Sequence, residues 1–248
     1  MKSIAEYENS FTVASYETDF SGKMSLFNLF NRIQEYASIH AERLNVGFDV
    51  LREKRFAWVL SRIKVQINSM PGWGDKVTLK TWPKGIDRLF AMRDFCMTNE
   101  NGETLLKATT AWLLINIDKM RPCRIETLPV NLTFTGAPDA IKDPLDKIPI
   151  PEKTEPAFEK LILLSDIDNN LHVNNAQYAK WAADCFTQEK FSNHTIKSVQ
   201  INYLEETLLG DTVEIFKTPE DNSYSTSYIF GKSRGKGSVS FQAHLIWE

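Results

Sequence analysis

The sequence predicts an α+β protein made of two tandem copies of one unit, each a long helix packed on an antiparallel sheet. The first observation behind this is a repeat. Val65-Gln66-Ile67-Asn68 returns as Val199-Gln200-Ile201-Asn202, and a Gly-Asp turn follows each, Gly74-Asp75 and Gly210-Asp211. A four-residue identity is weak alone, but the same ordered set of strand, Asp-containing turn and amphipathic helix lies upstream of both copies, which points to duplication. The second observation is periodicity. In each half a stripe of helical spacing gives way to runs of β-branched and aromatic residues between turn signals. The third is composition: six of the ten prolines (Pro122, Pro129, Pro138, Pro144, Pro149 and Pro151) fall between 121 and 155, as in an extended connection over a surface. The expected division is therefore residues 1–120, a linker at 121–155, and residues 156–248.

Taken in order, Phe11 to Tyr16 alternates apolar and polar residues and predicts a strand, with a turn at Asp19-Phe20-Ser21-Gly22-Lys23. Leu26, Leu29, Phe30, Ile33, Ala37, Ala41 and Leu44 then form one apolar helical stripe, ended near Gly47. His40 lies close to that face, where a core histidine held by a hydrogen bond is the expected role. Strands are predicted at 58–67, 76–82, 88–98 and 104–117. After the linker, Tyr178, Trp181, Ala182, Cys185 and Phe186 define a second helix. Trp112-Leu113-Leu114-Ile115 and His244-Leu245-Ile246-Trp247 are the matching closing strands.

Composition narrows the function classes. Twenty-nine Lys+Arg against 32 Asp+Glu leave a net charge of −3, so nothing global draws the chain to nucleic acid or anionic membrane. An acidic partner must be met by a local basic patch. The three cysteines, Cys96, Cys123 and Cys185, have no CxxC spacing, and an odd number argues against a disulfide framework, so reduced thiols in a cytoplasm are expected. Met1 to Ser10 is polar and acidic, and no apolar run reaches 18 residues; neither a secretion signal nor a membrane span is expected. No GxGxxG or GxxxxGK[ST] loop suggests an organic cofactor. His194 and His244 show no ligand spacing to His172, so no metal is expected either.

The stretch that stands out is Ser165 to Asn175, Ser-Asp-Ile-Asp-Asn-Asn-Leu-His-Val-Asn-Asn, with two acids, four amides and one of the four histidines. It leads into the second helix, with Asn174 or Asn175 as N-cap. His172 would sit beside a helix N-terminus, where free N–H groups favour an anion or a developing oxyanion. A polar loop in that place also serves simply as a cap, and Asp168 and Asn170 also suit an Asx-type turn.

A tandem pair of helix-and-sheet units carrying Asp168-Asn169-Asn170-Leu171-His172-Val173-Asn174-Asn175, then Tyr178 and Trp181, resembles the acyl-acyl carrier protein thioesterases and their double hotdog arrangement. The His-Val-Asn-Asn run is common to many hotdog thioesterases; the tandem length and the Asp-x-Asn-x-His pattern point to this branch. The resemblance implies hydrolysis of a fatty acyl thioester on an acidic carrier protein, and places the site on Asp168, Asn170, His172 and Glu206. Alignment on Tyr203 selects Glu206 over Glu205. Where plant members have a cysteine after that glutamate, this chain has Thr207, a position that cannot supply a thiolate.

On this basis Glu206 or Asp168 activates water while His172 orients it or shuttles its proton, with attack by Asp168 through an anhydride as the competing route. Helix N–H groups near Val173 and Asn174, with the Asn170 amide, are the expected oxyanion donors. Cys185, on the apolar stripe, is expected to pack. In the first half, Lys23 and Ser25 are matched to Asn170 and His172, so that half is expected to keep the fold, lack the chemistry and supply the acyl pocket. Lys119, Arg121 and Arg124, and Lys232, Arg234 and Lys236, are the candidate carrier-binding clusters. The resemblance leaves room for a homodimer. The alternatives are an acyl-coenzyme A thioesterase and a non-catalytic acyl-binding hotdog protein.

Overall fold

The computed structural model describes residues 5–128, 134, 136–219 and 225–248; residues 1–4 of the polar N-terminus and Pro129 of the connection lie outside them. The chain divides into two compact units, Met1–Leu145 and Asp146–Glu248. In the first, β1 (Tyr7–Thr12), α1 (Leu26–Arg43), α2 (Phe48–Glu53), β2 (Phe56–Ile67), β3 (Lys76–Asp87), β4 (Phe90–Asn99), β5 (Thr104–Asn116) and β6 (Arg121–Cys123) follow one another. The strands pair antiparallel in the order β1-β3-β4-β5-β2, with β6 on β5. The second unit contains β7 (Glu155–Leu161), α3 (Asn175–Asp184), α4 (Gln188–Asn193), β8 (Ile196–Tyr203), β9 (Thr212–Lys217), β10 (Thr226–Ser233) and β11 (Val239–Trp247). Its order is β7-β9-β10-β11-β8. Strand for strand the two orders are the same, which is the duplication expected from the repeat. Each unit is a hotdog.

The first helix forms where its stripe predicts, whereas the second ends at Asp184, short of the Cys185 and Phe186 of its stripe. Ser25 caps α1 by accepting from the Asn28 N–H, and Leu26, Leu29, Phe30, Ile33, Tyr36 and Ala37 are buried along one face. His40 is fully buried, and its Nδ1 meets the Arg93 guanidinium at 2.8 Å. Since guanidinium can only donate, the imidazole accepts, and His40 is a core histidine hydrogen-bonded by Arg93. Burial lowers Arg93 to about 10, still protonated at neutral pH. In the second unit, α3 is the shorter central helix. It stops at Asp184, and Thr187 restarts the chain as α4 by accepting from the Lys190 N–H.

Two local expectations are corrected. The first strand spans Tyr7–Thr12 rather than 11–16, because Glu17 accepts from the Ala14 N–H and pairs with Arg32 at 2.7 Å, drawing Ser15–Glu17 into a single 3-10 turn. Between 121 and 155 the sequence lacks periodicity, yet Ile125, Leu128, Ile141, Leu145 and Ile148 are buried. This connection is held by side chains reaching its backbone. The fully buried Asp94 accepts from the Ala140 N–H at 2.7 Å and from Thr109 Oγ1 at 2.6 Å, and Arg62 donates to the Leu145 carbonyl. Among the described residues no helix is long and apolar enough to cross a membrane.

One glycine ties sheet packing to the site. A Cβ at Gly231 in β10 would lie 2.3 Å from Phe241 Cε1 and 2.7 Å from Val213 Cγ1. Phe241 is itself fully buried against Tyr178 and Trp181 of α3. Gly231→Ala must therefore displace Phe241 and Val213, and overpacking of this kind costs about 1–3 kcal/mol. Thermal unfolding should show the loss; an unchanged Tm would mean that Phe241 has room to move.

Candidate active site

The polar loop is built from backbone bonds, and these decide where its side chains go. Asp166 accepts from the Leu163 N–H at 2.8 Å and from Lys160 Nζ at 2.9 Å, while its carbonyl takes the Asn174 N–H at 2.9 Å. Between these anchors, Asp168 Oδ1 accepts from the Asn170 N–H at 2.8 Å and the Asp168 carbonyl accepts from the Leu171 N–H at 3.0 Å. That is an Asx turn closed by Leu171 in the left-handed region at φ 66°. The Asp168 N–H then bonds the His172 carbonyl, and Ile167 bridges Val173. Asn174 caps α3 by accepting from the Ala176 N–H at 2.9 Å.

A second loop, leaving β8, meets the first at one residue. The Val173 N–H donates to the Thr207 carbonyl at 3.0 Å. The preceding residue on each loop is thereby brought face to face: His172 Nε2 lies 3.0 Å from Glu206 Oε2, with side chains 43% and 46% exposed. Glu205 points elsewhere and accepts from Ser238 Oγ, so geometry selects Glu206 of the two neighbours. Beneath the pair, Tyr178 donates to Thr207 Oγ1 at 3.0 Å and Tyr203 donates to the Asn175 carbonyl at 3.1 Å. Burial pushes the Tyr178 phenol up to about 12, so it is a neutral donor at physiological pH. The sequence pattern marks Tyr178 as part of the stripe and of the motif, and Thr207 as a departure, without joining them; that a buried tyrosine needs a partner for its hydroxyl is the available signal.

The backbone N–H groups expected as oxyanion donors are already engaged. The Val173 N–H is spent on Thr207 and the Asn174 N–H on Asp166, because both residues are used to stitch the loop to its neighbours. The Asn170 side chain is exposed, with Nδ2 3.5 Å from Asp168 Oδ2. It keeps a donor for a bound oxygen. Cys185 packs as expected: its Sγ donates to the Trp181 carbonyl, and burial raises the thiol to about 12. Of the basic clusters, Lys119, Arg121, Arg124, Lys232 and Lys236 are exposed, whereas Arg234 is engaged by Glu159 and Glu214.

The first unit repeats this framework bond for bond. Asp19 Oδ1 accepts from the Ser21 N–H, the Asp19 N–H bonds the Lys23 carbonyl, Gly22 takes the left-handed position, and the Met24 N–H donates to the Pro71 carbonyl. These bonds correct the internal alignment by two residues. Ser21 matches Asn170, Lys23 matches His172, and Ser25 matches the helix cap Asn174. Met70, before Pro71, then stands where Glu206 does. The turn aspartate is common to both units; the imidazole and the carboxylate belong to the second alone.

An imidazole against a carboxylate, half-open to solvent, is equipped to take a proton from water, and the exposed Asn170 amide two residues before His172 is a donor of the kind an oxyanion needs. Comparison with known proteins gives the family. The family model described as Acyl-ACP thioesterase N-terminal domain matches residues 5–128, and the C-terminal domain model matches 153–248. An oleoyl-acyl carrier protein thioesterase of Arabidopsis thaliana is 29% identical over 246 residues, covering 91% of this chain and 66% of that protein. A palmitoyl-acyl carrier protein thioesterase of Cuphea hookeriana is 29% identical over 216 residues, covering 81% and 51%. The chain thus spans two thirds or less of the length of these curated relatives. Among solved structures, an acyl-ACP thioesterase from Bacteroides thetaiotaomicron superposes with a TM-score of 0.89 at 26% identity, covering 98% of both chains. A 12:0-ACP thioesterase from Umbellularia californica shares the fold, with a TM-score of 0.85 at 22% identity over 100% of this chain and 98% of that one. With both family models matched in order along a duplicated hotdog chain, this protein belongs to the acyl-ACP thioesterase family.

Proposed function

We propose that the protein hydrolyses the thioester of a fatty acyl-acyl carrier protein, releasing free fatty acid and the carrier thiol. The observation that carries this reading is the 3.0 Å contact between His172 Nε2 and Glu206 Oε2, which the first unit lacks. Nε2–H donates to the carboxylate, which fixes the tautomer and leaves Nδ1 as the acceptor for a proton from water. Water attacks the acyl carbon, its proton passes to the imidazole, and Glu206 stabilises the imidazolium. Asn170 Nδ2 donates to the oxyanion. Collapse breaks the C–S bond, and the thiolate, with an ordinary thiol pKa near ~8.5, leaves without a strong acid and recovers the proton. Asp168 holds the turn that aims this group. The first unit, which keeps the fold without the pair, is assigned the acyl-holding role. Lys119, Arg121, Arg124, Lys232 and Lys236 are assigned the acidic carrier, Arg234 being largely neutralised by its own partners. Free Cys96, Cys123 and Cys185 suit a reducing cytoplasm.

The test is thiol release from a long-chain acyl-acyl carrier protein and from the matched acyl-coenzyme A. Preference for the carrier substrate supports the proposal in full. Equal or better turnover of the coenzyme A ester would move the substrate class to free acyl thioesters. Acyl binding without thiol release above background would make the protein an acyl-binding module.

A further inference from the structure

The hydroxyls of Tyr178 and Thr207 stand 3.0 Å apart, buried one residue away from the His172–Glu206 pair. Their placement is not needed to build the fold. In the first unit the same backbone stitch is made by the Met24 N–H and the Pro71 carbonyl at 2.8 Å. There Leu29 stands for Tyr178 and Pro71 for Thr207, so no hydroxyl pair exists. The side-chain bond therefore accompanies the imidazole and carboxylate rather than the hotdog unit itself. It also ties two separate elements: Tyr178 is fixed in α3 by rings of Trp181 (4.8 Å), Tyr203 (5.5 Å) and Phe241 (5.0 Å), whereas Thr207 lies in the loop after β8. Without it, Thr207 is held to the first loop by one backbone bond, about which Glu206 can swing.

We propose that Tyr178 and Thr207 are positioning residues, a brace that fixes the loop after β8 on α3 and so keeps the Glu206 carboxylate within hydrogen-bond reach of His172. This rests on the hydrolase reading, for which that pair is the reacting unit. A group held about 1 Å off line typically costs up to ~10²-fold in rate, with little effect on binding of the distant acyl chain. The brace also explains why a hydroxyl residue serves at 207. The Thr207 hydroxyl accepts a hydrogen bond from the Tyr178 O–H and needs no reactivity of its own.

The experiment is steady-state thioester hydrolysis by Tyr178→Phe, Thr207→Val, the double variant and Thr207→Ser, beside a crystal structure of Thr207→Val. Both single changes keep shape and remove one hydroxyl or its acceptor. The expected result is a kcat lowered roughly ten- to a hundredfold in each, with KM within about twofold. The double variant should be no worse than the singles, because one bond is lost once, and Thr207→Ser should recover most of the rate. In Thr207→Val the His172–Glu206 separation should open beyond the present 3.0 Å. Wild-type kcat in both singles, losses that multiply in the double, failure of serine to rescue, or an unchanged separation would each overturn the brace. An inert wild type would instead sink the hydrolase reading, and the Thr207→Val structure would still decide the brace.

Discussion

Glu206→Gln should lower kcat by about 10³-fold or more while leaving KM within about twofold, the pattern of a group that acts only in the transition state. Glutamine has the same shape and still offers Oε1 to the His172 Nε2–H, so the pair can keep its 3.0 Å contact. What disappears is the negative charge that stabilises the imidazolium when water gives up its proton. A thousandfold loss is about 4 kcal/mol of transition-state stabilisation, far above the ~1 kcal/mol typical of a half-exposed ion pair's share in stability. The variant should therefore melt with the wild type. His172→Ala should lose as much, and the double variant little more, because the two side chains act as one unit. Thiol-release kinetics decide it. If Glu206→Gln stays within about tenfold of wild type, the carboxylate has no part in proton transfer.

Much of this arrangement is legible in the sequence, and the parts that are not share a cause. The α1 stripe, strands β2 to β5 and the repeated tetrapeptide are local patterns, and they identify two units of like order. His40 is also readable, since a histidine on an apolar helical face has few options besides a core hydrogen bond, here with Arg93. The losses come where a partner lies far along the chain. Glu17 bends the chain after β1 through Arg32, 15 residues away. Asp94 seats Ala140 across 46 residues, so a segment without periodicity is nonetheless held. At the site, the loop 165–175 and its helix cap are visible from residue types. The spending of the Val173 and Asn174 N–H groups on Thr207 and Asp166 is not, because a sequence shows a donor without its acceptor. The internal match of Lys23 to His172 likewise needs the turn bonds, since the two loops share little beyond the aspartate.

That shared aspartate leads to a sharp split between two substitutions at one position. Asp168→Ala should cost kcat about 10²-fold, whereas Asp168→Asn should stay within roughly tenfold of wild type. Asp168 Oδ1 accepts from the Asn170 N–H at 2.8 Å and Oδ2 lies 3.5 Å from Asn170 Nδ2. Alanine removes the acceptor that closes the turn, so Asn170 and His172 lose their aim. Asparagine keeps a carbonyl oxygen in that place, and Asn and Asp are interchangeable in an Asx turn. The first unit makes the same turn with Asp19 and Ser21 while having Lys23 and Met70 at the reacting positions, so the carboxylate at this position has a structural reason to exist without chemistry. An anhydride mechanism makes the opposite demand. A nucleophilic carboxylate cannot be replaced by an amide, so Asp168→Asn and Asp168→Ala would then fall together by several orders of magnitude. Measuring kcat for both under saturating substrate separates a turn that aims the reacting pair from a side chain that forms a bond to the acyl group.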